Sequence, residues 1–144
     1  MKNHKIGVIG LGYVGGAVHK WFRERVAPEV LFAYDKYKNI GSLEEVNKAD
    51  IIFVEIPTPF HDDGRGYDDS AVSESVVAIG DVKIVVIKST VLPGTTAALQ
   101  RQYPKKKILF NPEFLRAKTP FEDFVRPDKQ ILGFTEESRS SAKG

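Results

Sequence analysis

The 144-residue sequence has the length of one domain, and its 42% hydrophobic and 28% charged content is ordinary for a globular protein. A formal net charge of +2 argues against a nucleic-acid partner, no apolar stretch approaches the length of a membrane span, and the absence of cysteine excludes disulfides, thiolate metal sites and a thiol nucleophile within these residues. The polar residues 1–5 lack a signal-peptide pattern, so we expect a cytoplasmic location and no membrane contact.

The first third of the chain alternates short apolar runs with helical patterns. Residues 6–9 form a β-favouring run, and from residue 14 to residue 25 the apolar side chains recur at helical spacing. A second apolar run at residues 30–35 follows Pro28 and ends in Asp35. Ser42, with Glu45 three positions later, forms a capping-box pattern that predicts a short helix before the apolar strand at residues 51–57.

The same alternation continues to the end of the chain. Residues 58–69 are dense in turn-forming residues and predict a loop, and residues 70–79 predict a helix. An apolar strand at residues 83–90 precedes a helix to about residue 102, which the hydroxyls of Thr95 and Thr96 can cap. Segments at residues 107–110, 111–115 and 129–133 complete the pattern of strands and helices.

Two polar clusters are weak candidates for functional sites. The basic run at residues 105–107 lacks interleaved aromatic residues and predicts a solvated turn before a strand. His61, Asp62 and Asp63 are neighbours in the predicted loop, but three adjacent loop residues rarely converge on one ion. We therefore expect no metal site there.

Three glycines spaced as G-x-G-x-x-G separate the first predicted strand from the first predicted helix. In such a unit Gly10 allows a tight turn, Gly12 lets the backbone approach a pyrophosphate, and Gly15 lets the helix pack against the strand. Asp35 ends the next strand, where a dinucleotide-binding fold has the acid that binds the ribose. The alternative is that these are ordinary turn glycines and a helix-flanking aspartate.

The charge of Asp35 also indicates which dinucleotide is bound. A carboxylate accepts two ribose hydroxyls and repels a 2′-phosphate, so NAD is favoured over NADP. Lys36 and Lys38 would soften that repulsion if they face the ligand, although exposed lysines after a strand are more often part of the surface.

The apolar runs predict the fold class. Strands with nearly unbroken apolar content are typical of a parallel sheet covered by helices on both faces. With the glycine motif, they predict an α/β fold of Rossmann-like, doubly wound type with a mostly parallel sheet. We expect residues 1–135 to form one dinucleotide-binding domain and residues 136–144 to form a polar tail that frays.

Three groups of segments resemble one family, the nucleotide-sugar 6-dehydrogenases that include UDP-glucose and GDP-mannose dehydrogenases. They are GLGYVG at residues 10–15, IPTPF followed by DG at residues 56–64, and KSTVLPGTT with NPEFLR and DFVRPDKQILG between residues 88 and 133. The resemblance implies an N-terminal NAD-binding domain of an enzyme that oxidises the sugar C6 alcohol twice, to a carboxylate, with two NAD.

The resemblance also implies roles for particular residues. Tyr13 and Val14 would offer backbone N–H groups to the pyrophosphate, and Thr58 and Thr90 would lie beside the cofactor at strand ends. Thr90 could equally cap the turn that follows it. The nucleotide-sugar site would be lined by Glu113, Phe114 and Leu115. Glu113 would also be a candidate acid–base or water-orienting carboxylate.

The sequence departs from the family pattern at several positions. Ala117 stands where a second glutamate is usual, Glu55 stands where a small or apolar residue is common, and the insert between Asp35 and Ile51 is short. The nucleophilic cysteine of the family is absent from these 144 residues, so the thioester route to the acid has no nucleophile among them. We therefore expect this chain alone not to convert UDP-glucose to the glucuronate.

These departures leave alternatives open. The chain could be a stand-alone NAD-binding or regulatory module that pairs with a dehydrogenase chain, or part of a homo-oligomer. It could also be a relative of the β-hydroxyacid or 6-phosphogluconate dehydrogenases, although the segments IPTP and NPEFL argue against that interpretation.

Overall fold

The computed structural model describes residues 4–143, in which strands and helices alternate. The strands are β1 (Ile6–Ile9), β2 (Leu31–Tyr34), β3 (Ile51–Val54), β4 (Phe60–His61), β5 (Gly66–Tyr67), β6 (Ile84–Ile87), β7 (Lys107–Phe110) and β8 (Gly133–Phe134). The α-helices are α1 (Tyr13–Arg23), α2 (Leu43–Val46), α3 (Ser70–Ala78), α4 (Thr95–Gln102) and α5 (Pro120–Val125). Short 3₁₀ helices lie at Pro28–Val30 and Arg139–Ala142.

A six-stranded sheet in the order β2-β1-β3-β6-β7-β8 forms the centre of the molecule. The first five strands are parallel, with Ile9 beside both Tyr34 and Val54, and β8 runs antiparallel to β7. β4 and β5 form a separate antiparallel hairpin. Because parallel strands end at one edge, the residues that follow β1, β2, β3, β6 and β7 converge there. The predicted Rossmann-like α/β fold is confirmed.

Helices cover both faces of this sheet. On one face the strands pack against Val46 of α2, Val76 of α3 and Leu99 of α4. On the other face Val8 packs with Val18 of α1, and Phe124 of α5 adjoins this cluster. Burial of one such aliphatic side chain stabilises the folded state by about 1.5–3 kcal/mol. The helices therefore stabilise the sheet on both faces. Within residues 4–143, no helix has both the length and the hydropathy of a transmembrane segment.

Two central strands end earlier than the sequence predicts. β3 ends at Val54 and β6 ends at Ile87, directly before Glu55 and Lys88, which the sequence analysis included in the strands. The N–H group of Ile56 donates to the hydroxyl of Ser89 at 2.7 Å instead of continuing a strand ladder. The chain therefore leaves the sheet at the residues that line its carboxyl edge.

The connections differ from the sequence predictions in three places. The predicted loop at residues 58–69 contains the β4–β5 hairpin, in which the rings of Phe60 and Tyr67 pack edge to face. Residues 111–115 have no regular structure, and α5, which the sequence analysis did not predict, follows them. The last strand is β8 rather than residues 129–133, and it is antiparallel because the chain returns to β7 through the turn after α5.

Helix caps were predicted correctly in one case and wrongly in another. The N–H group of Glu45 donates to the hydroxyl of Ser42 at 3.1 Å, as the capping box predicts. α4 instead begins after Gly94, whose φ of 94° is left-handed, and no side chain caps it. The hydroxyl of Thr95 donates to Asp69 at 3.1 Å, so it joins α4 to the start of α3.

The basic run begins in a turn before β7 with Lys105 exposed, as the sequence predicts, but Lys106 is buried rather than solvated. Lys106 is only 3% exposed, its ammonium lies 4.4 Å from the ring centroid of Tyr103, and Asp81 lies 3.9 Å away. The buried amide of Gln100 fixes this segment, since it accepts from Ile108 N–H and donates to the Lys106 carbonyl, both at 2.8 Å.

Candidate functional site

The turn between β1 and α1 needs glycine at two of its three glycine positions. Gly10 has a φ of 86°, and a Cβ there would overlap the carbonyl group of Glu55. A Cβ at Gly15 would overlap the carbonyl oxygen of Gly10 and lie 3.1 Å from the Cβ of Glu55. These two glycines therefore let β1, β3 and the start of α1 pack directly against one another.

Gly12 has a different environment. A Cβ at this position would meet no atom of residues 4–143 within 4 Å, so packing within this part of the chain does not require glycine here. Gly12 is the N-cap of the 11-residue α1, and no side chain caps the helix. The first N–H groups of a helix have no partner within it, and the helix dipole places positive potential there. This turn can therefore accept a close anionic group such as a diphosphate.

A cleft of about 700 Å³ opens over this turn at the carboxyl edge of the sheet. It brings together all the residues predicted to bind a cofactor except Gly15, which lies behind the turn against Gly10. Those lining the cleft are Gly10, Gly12, Tyr13, Val14, Asp35, Thr58 and Thr90. Lys36 and Lys38 line the same cleft, on the side of Asp35.

The Asp35 carboxylate makes hydrogen bonds within the protein that the sequence analysis did not predict. Asp35 is buried, and its carboxylate accepts the N–H groups of Leu11 at 2.8 Å, Tyr37 at 3.0 Å and Lys38 at 2.9 Å. Burial acts to raise the pKa of Asp35, but these three N–H groups and the Lys38 ammonium hold the pKa below its ordinary value. Asp35 therefore stays ionised and joins the glycine turn to the turn after β2.

Hydroxyl groups join the loops after β3 and β6. The Thr58 hydroxyl donates to the Thr90 carbonyl at 2.7 Å, and the buried Ser89 hydroxyl accepts from Ile56 N–H. Thr58 and Thr90 both line the cleft, and Thr90 caps no helix, since α4 begins at Thr95. The sequence analysis missed Ser89, although a hydroxyl directly after a buried strand is the same signal that singled out Thr90.

A buried group of ionisable side chains lies at the inner end of the cleft. Glu55 follows β3 and is 8% exposed, Lys88 follows β6 and is 3% exposed, and Glu113 follows β7. The Lys88 ammonium donates to the backbone carbonyl and the side-chain oxygen of Asn111 at 3.2 and 3.0 Å. The sequence signal for Glu55 and Lys88 was a charge placed directly after a buried apolar strand, whereas Glu113 is separated from β7 by two residues.

Burial has the largest effect on the pKa values of Glu55 and Lys88. It raises the pKa of Glu55 to about 8; the Lys88 ammonium opposes the rise and Glu113 adds to it. Burial lowers the pKa of Lys88, against the attraction of both carboxylates. Glu55 therefore holds its proton at neutral pH.

A second cavity of about 430 Å³ adjoins the first and shares Lys88 and Glu113 with it. Phe114 and Leu115, predicted to line a substrate site, both line this cavity. Glu113 accepts the N–H group of Leu115 at 2.6 Å, so its carboxylate is held within its own loop. The Lys129 ammonium lies 4.5 Å from the ring centroid of Phe114, across the cavity. The predicted substrate residues therefore lie together, beside the cleft.

His61 and Asp63 in the loop at residues 61–63 contact different partners instead of forming a common cluster. His61 lies 3.7 Å from Asp68, and Asp63 pairs with Arg65 at 2.8 Å. Among residues 4–143, no group of three histidine, aspartate or glutamate side chains is arranged to hold a metal ion.

Comparison with known proteins identifies relatives of this chain. Residues 24–143 match the UDP-glucose/GDP-mannose dehydrogenase family, NAD binding domain. UDP-glucose 6-dehydrogenase AglM of Haloferax volcanii is 34% identical in an alignment 119 residues long that covers 71% of this chain and 27% of that protein. UDP-glucose 6-dehydrogenase 3 of Arabidopsis thaliana is 34% identical in an alignment 114 residues long that covers 69% of this chain and 24% of that protein.

The fold comparison agrees with the sequence comparison. The structure of a UDP-glucose dehydrogenase from Pyrobaculum islandicum has a TM-score of 0.78 and 26% identity, with 96% of this chain and 42% of that chain covered. The chain spans about a quarter of the length of the two curated relatives. The family match decides against the alternative of a β-hydroxyacid dehydrogenase relative. The chain therefore belongs to the UDP-glucose/GDP-mannose dehydrogenase family, and it contains the NAD binding domain of that family, with NAD as the cofactor.

Proposed function

We propose that NAD binds in the 700 Å³ cleft, with its diphosphate against Gly12 and the N–H groups of Tyr13 and Val14. Asp35 and Lys38 lie at the adenosine end, and the joined loops of Thr58 and Thr90 lie at the nicotinamide end. The observation that carries this proposal is the open space at Gly12. It is the one glycine of the motif that internal packing does not require, so the ligand is the reason for it.

We further propose that the domain serves a nucleotide-sugar 6-dehydrogenase acting on a substrate of the UDP-glucose or GDP-mannose class. Bound NAD supplies a hydride acceptor. Phe114 and Leu115 would contact the sugar nucleotide in the second cavity. Glu113, which lines both cavities, would be the carboxylate that exchanges a proton or orients water. The names of the relatives support this substrate class.

A titration with NAD and NADP, monitored by thermal unfolding, tests the binding proposal. NAD at 100 times its Kd stabilises the folded state by about 2.7 kcal/mol. With an unfolding entropy of about 2.1 cal/mol/K per residue, this raises the Tm by about 9 °C. NADP should give a smaller shift, because its 2′-phosphate would face the ionised Asp35.

Two variants of the same helix sharpen this test. Gly12→Ala should keep the fold, losing only about 0.5 kcal/mol at the N-cap, while its methyl group weakens NAD binding by about tenfold or more. Gly16→Ala is the matched control, because Gly16 does not line the cleft and a Cβ there would lie 3.7 Å from its nearest neighbour. Equal NAD affinity in the Gly12→Ala variant and the wild type would contradict the proposed diphosphate position.

The oxidation step is tested separately. No cysteine occurs among the 144 residues, so a thioester intermediate has no nucleophile in them. We propose that the purified 144-residue chain, supplied with NAD, does not convert UDP-glucose or GDP-mannose to the corresponding uronate. Steady formation of the uronate, followed by chromatography, would overturn this part of the proposal and leave the binding proposal intact.

A regulatory module is the second candidate function. It is favoured by Ala117, an exposed methyl group at the position where the family usually has a glutamate. Co-purification with an intact dehydrogenase chain would support this candidate, and NAD binding with no partner would favour the first. A cytoplasmic location and a homo-oligomer or partner chain also stay proposals.

A further inference from the structure

Glu55 is a buried carboxyl group in the wall of the cleft. It follows β3, is 8% exposed, and lines the cleft together with Gly10, Gly12 and Thr58. Its Oε1 atom is buried and has no hydrogen-bond partner among residues 4–143. A buried carboxylate without a partner is strongly unfavourable, whereas the neutral acid is far less so. Ionisation of Glu55 in this position is therefore costly.

The glycine turn packs directly on this residue. The carbonyl group of Glu55 lies where a Cβ of Gly10 would be, and its side-chain Cβ would lie 3.1 Å from a Cβ of Gly15. The turn that offers N–H groups to an anion therefore rests on the residue that carries the buried acid. A negative charge on Glu55 would oppose the positive potential of the start of α1.

The charged groups that face Glu55 do not neutralise it. Lys88 approaches from the end of β6 and Glu113 from the loop after β7, while α1 presents glycine at this point. One ammonium thus faces two carboxyl groups, and its hydrogen bonds go to Asn111. With both carboxyl groups ionised, the cluster has a net charge of −1, next to the turn proposed for an anionic diphosphate. With a proton on Glu55 the cluster is neutral.

We propose that Glu55 is a cofactor-binding residue of this cleft that must be protonated for the dinucleotide diphosphate to bind. This inference rests on the proposed function, since it concerns the same cleft. Burial raises the pKa of Glu55 to about 8, which puts the change of charge near neutral pH. Binding of the anion retains the proton, so affinity is highest below that value and falls as pH rises through it.

The test is the Kd of NAD and of ADP-ribose between about pH 6 and about pH 9, measured by calorimetry at constant ionic strength. If only the protonated form binds, the competent fraction falls about tenfold between pH 7 and pH 9, and the Kd rises by the same factor. Glu55→Gln, a neutral side chain of the same shape, should bind as tightly at about pH 9 as at about pH 7. Glu74→Gln removes an exposed carboxylate from the rim of the same cleft and should keep the wild-type pH dependence.

The outcomes separate the inference from the proposed function. A wild-type Kd that does not change with pH, or a Glu55→Gln variant that keeps the pH dependence, would overturn the inference while NAD binding stands. A dependence seen with NAD but not with ADP-ribose would overturn the diphosphate assignment, because both ligands carry that group. Absence of NAD binding at every pH would overturn both proposals. If Glu55→Gln does not fold, Glu55→Ala must give the same flat profile.

Discussion

Gly15→Ala should destabilise the protein although it places a better helix former inside α1. Alanine in a helix interior is favoured over glycine by about 1 kcal/mol. The new Cβ would overlap the carbonyl oxygen of Gly10 and lie 3.0 Å from the Gly10 carbonyl carbon, so backbone rather than a flexible side chain must move. Overpacking of this kind costs about 1–3 kcal/mol and often more against backbone. We expect a net loss of about 2 kcal/mol.

Thermal and urea unfolding with the adjacent Gly16→Ala variant measure this effect. For a domain of this length a loss of about 2 kcal/mol lowers the Tm by about 7 °C. A Cβ at Gly16 lies 3.7 Å from the Leu11 carbonyl oxygen, an ordinary contact, so Gly16→Ala should keep the helix gain and raise stability by about 0.5–1 kcal/mol. The two substitutions should therefore change stability in opposite directions.

The result that refutes this reasoning is a Gly15→Ala variant as stable as Gly16→Ala. It would mean that α1 can move away from β1 at little cost, and that the glycine turn is not held by packing against β3.

Three further predictions concern the cleft and its supports. Asp35→Ala leaves the N–H group of Leu11 without its acceptor and should lower the unfolding free energy in urea by about 1–3 kcal/mol, whereas loss of NAD affinity alone would show that the carboxylate has no structural role. Gln100→Leu leaves the N–H group of Ile108 unpaired and should lower the unfolding free energy in urea by about 2 kcal/mol, and an unchanged free energy would show that this hydrogen bond does not stabilise the segment before β7. Glu55 has a folded-state pKa above the ordinary value of 4.5, so its stabilising effect is full below pH 4.5 and is lost as pH rises to about 8. The Tm of the Glu55→Gln variant relative to that of the wild type should therefore rise between about pH 5 and about pH 8.5. An equal Tm difference at the two pH values would contradict the interpretation of Glu55 as a buried neutral acid.

The sequence was sufficient to predict the layers of the fold. Continuous apolar runs such as residues 84–87 have one arrangement that buries both faces, a parallel sheet between helices, and the structure has it. The ends of the strands were harder, because the predicted strands at residues 51–57 and 83–90 ran past the charged residues Glu55 and Lys88, where the strands end. What ends these strands is a hydrogen bond between Ile56 and Ser89, two residues on different loops.

The candidate site was likewise predicted only in part from the sequence. Gly10, Gly12 and Gly15 were predicted from spacing, but only the structure separates the two that packing requires from the one that faces open space. Asp35 was predicted as a ribose-binding acid, and its three backbone donors depend on how the turn after β2 folds back onto Leu11. Long-range contacts of this kind have no periodicity along the chain, so no local pattern reports them.

The hydrogen bonds between the loops after β3 and β6 have a consequence for affinity. Thr58 and Thr90, and likewise Ile56 and Ser89, are joined before any ligand arrives. The conformational entropy of these two loops is thus lost when the chain folds and need not be lost again when a ligand binds. The part of the cleft that these two loops form is therefore preorganised, and a ligand that contacts one loop finds the other already held in place.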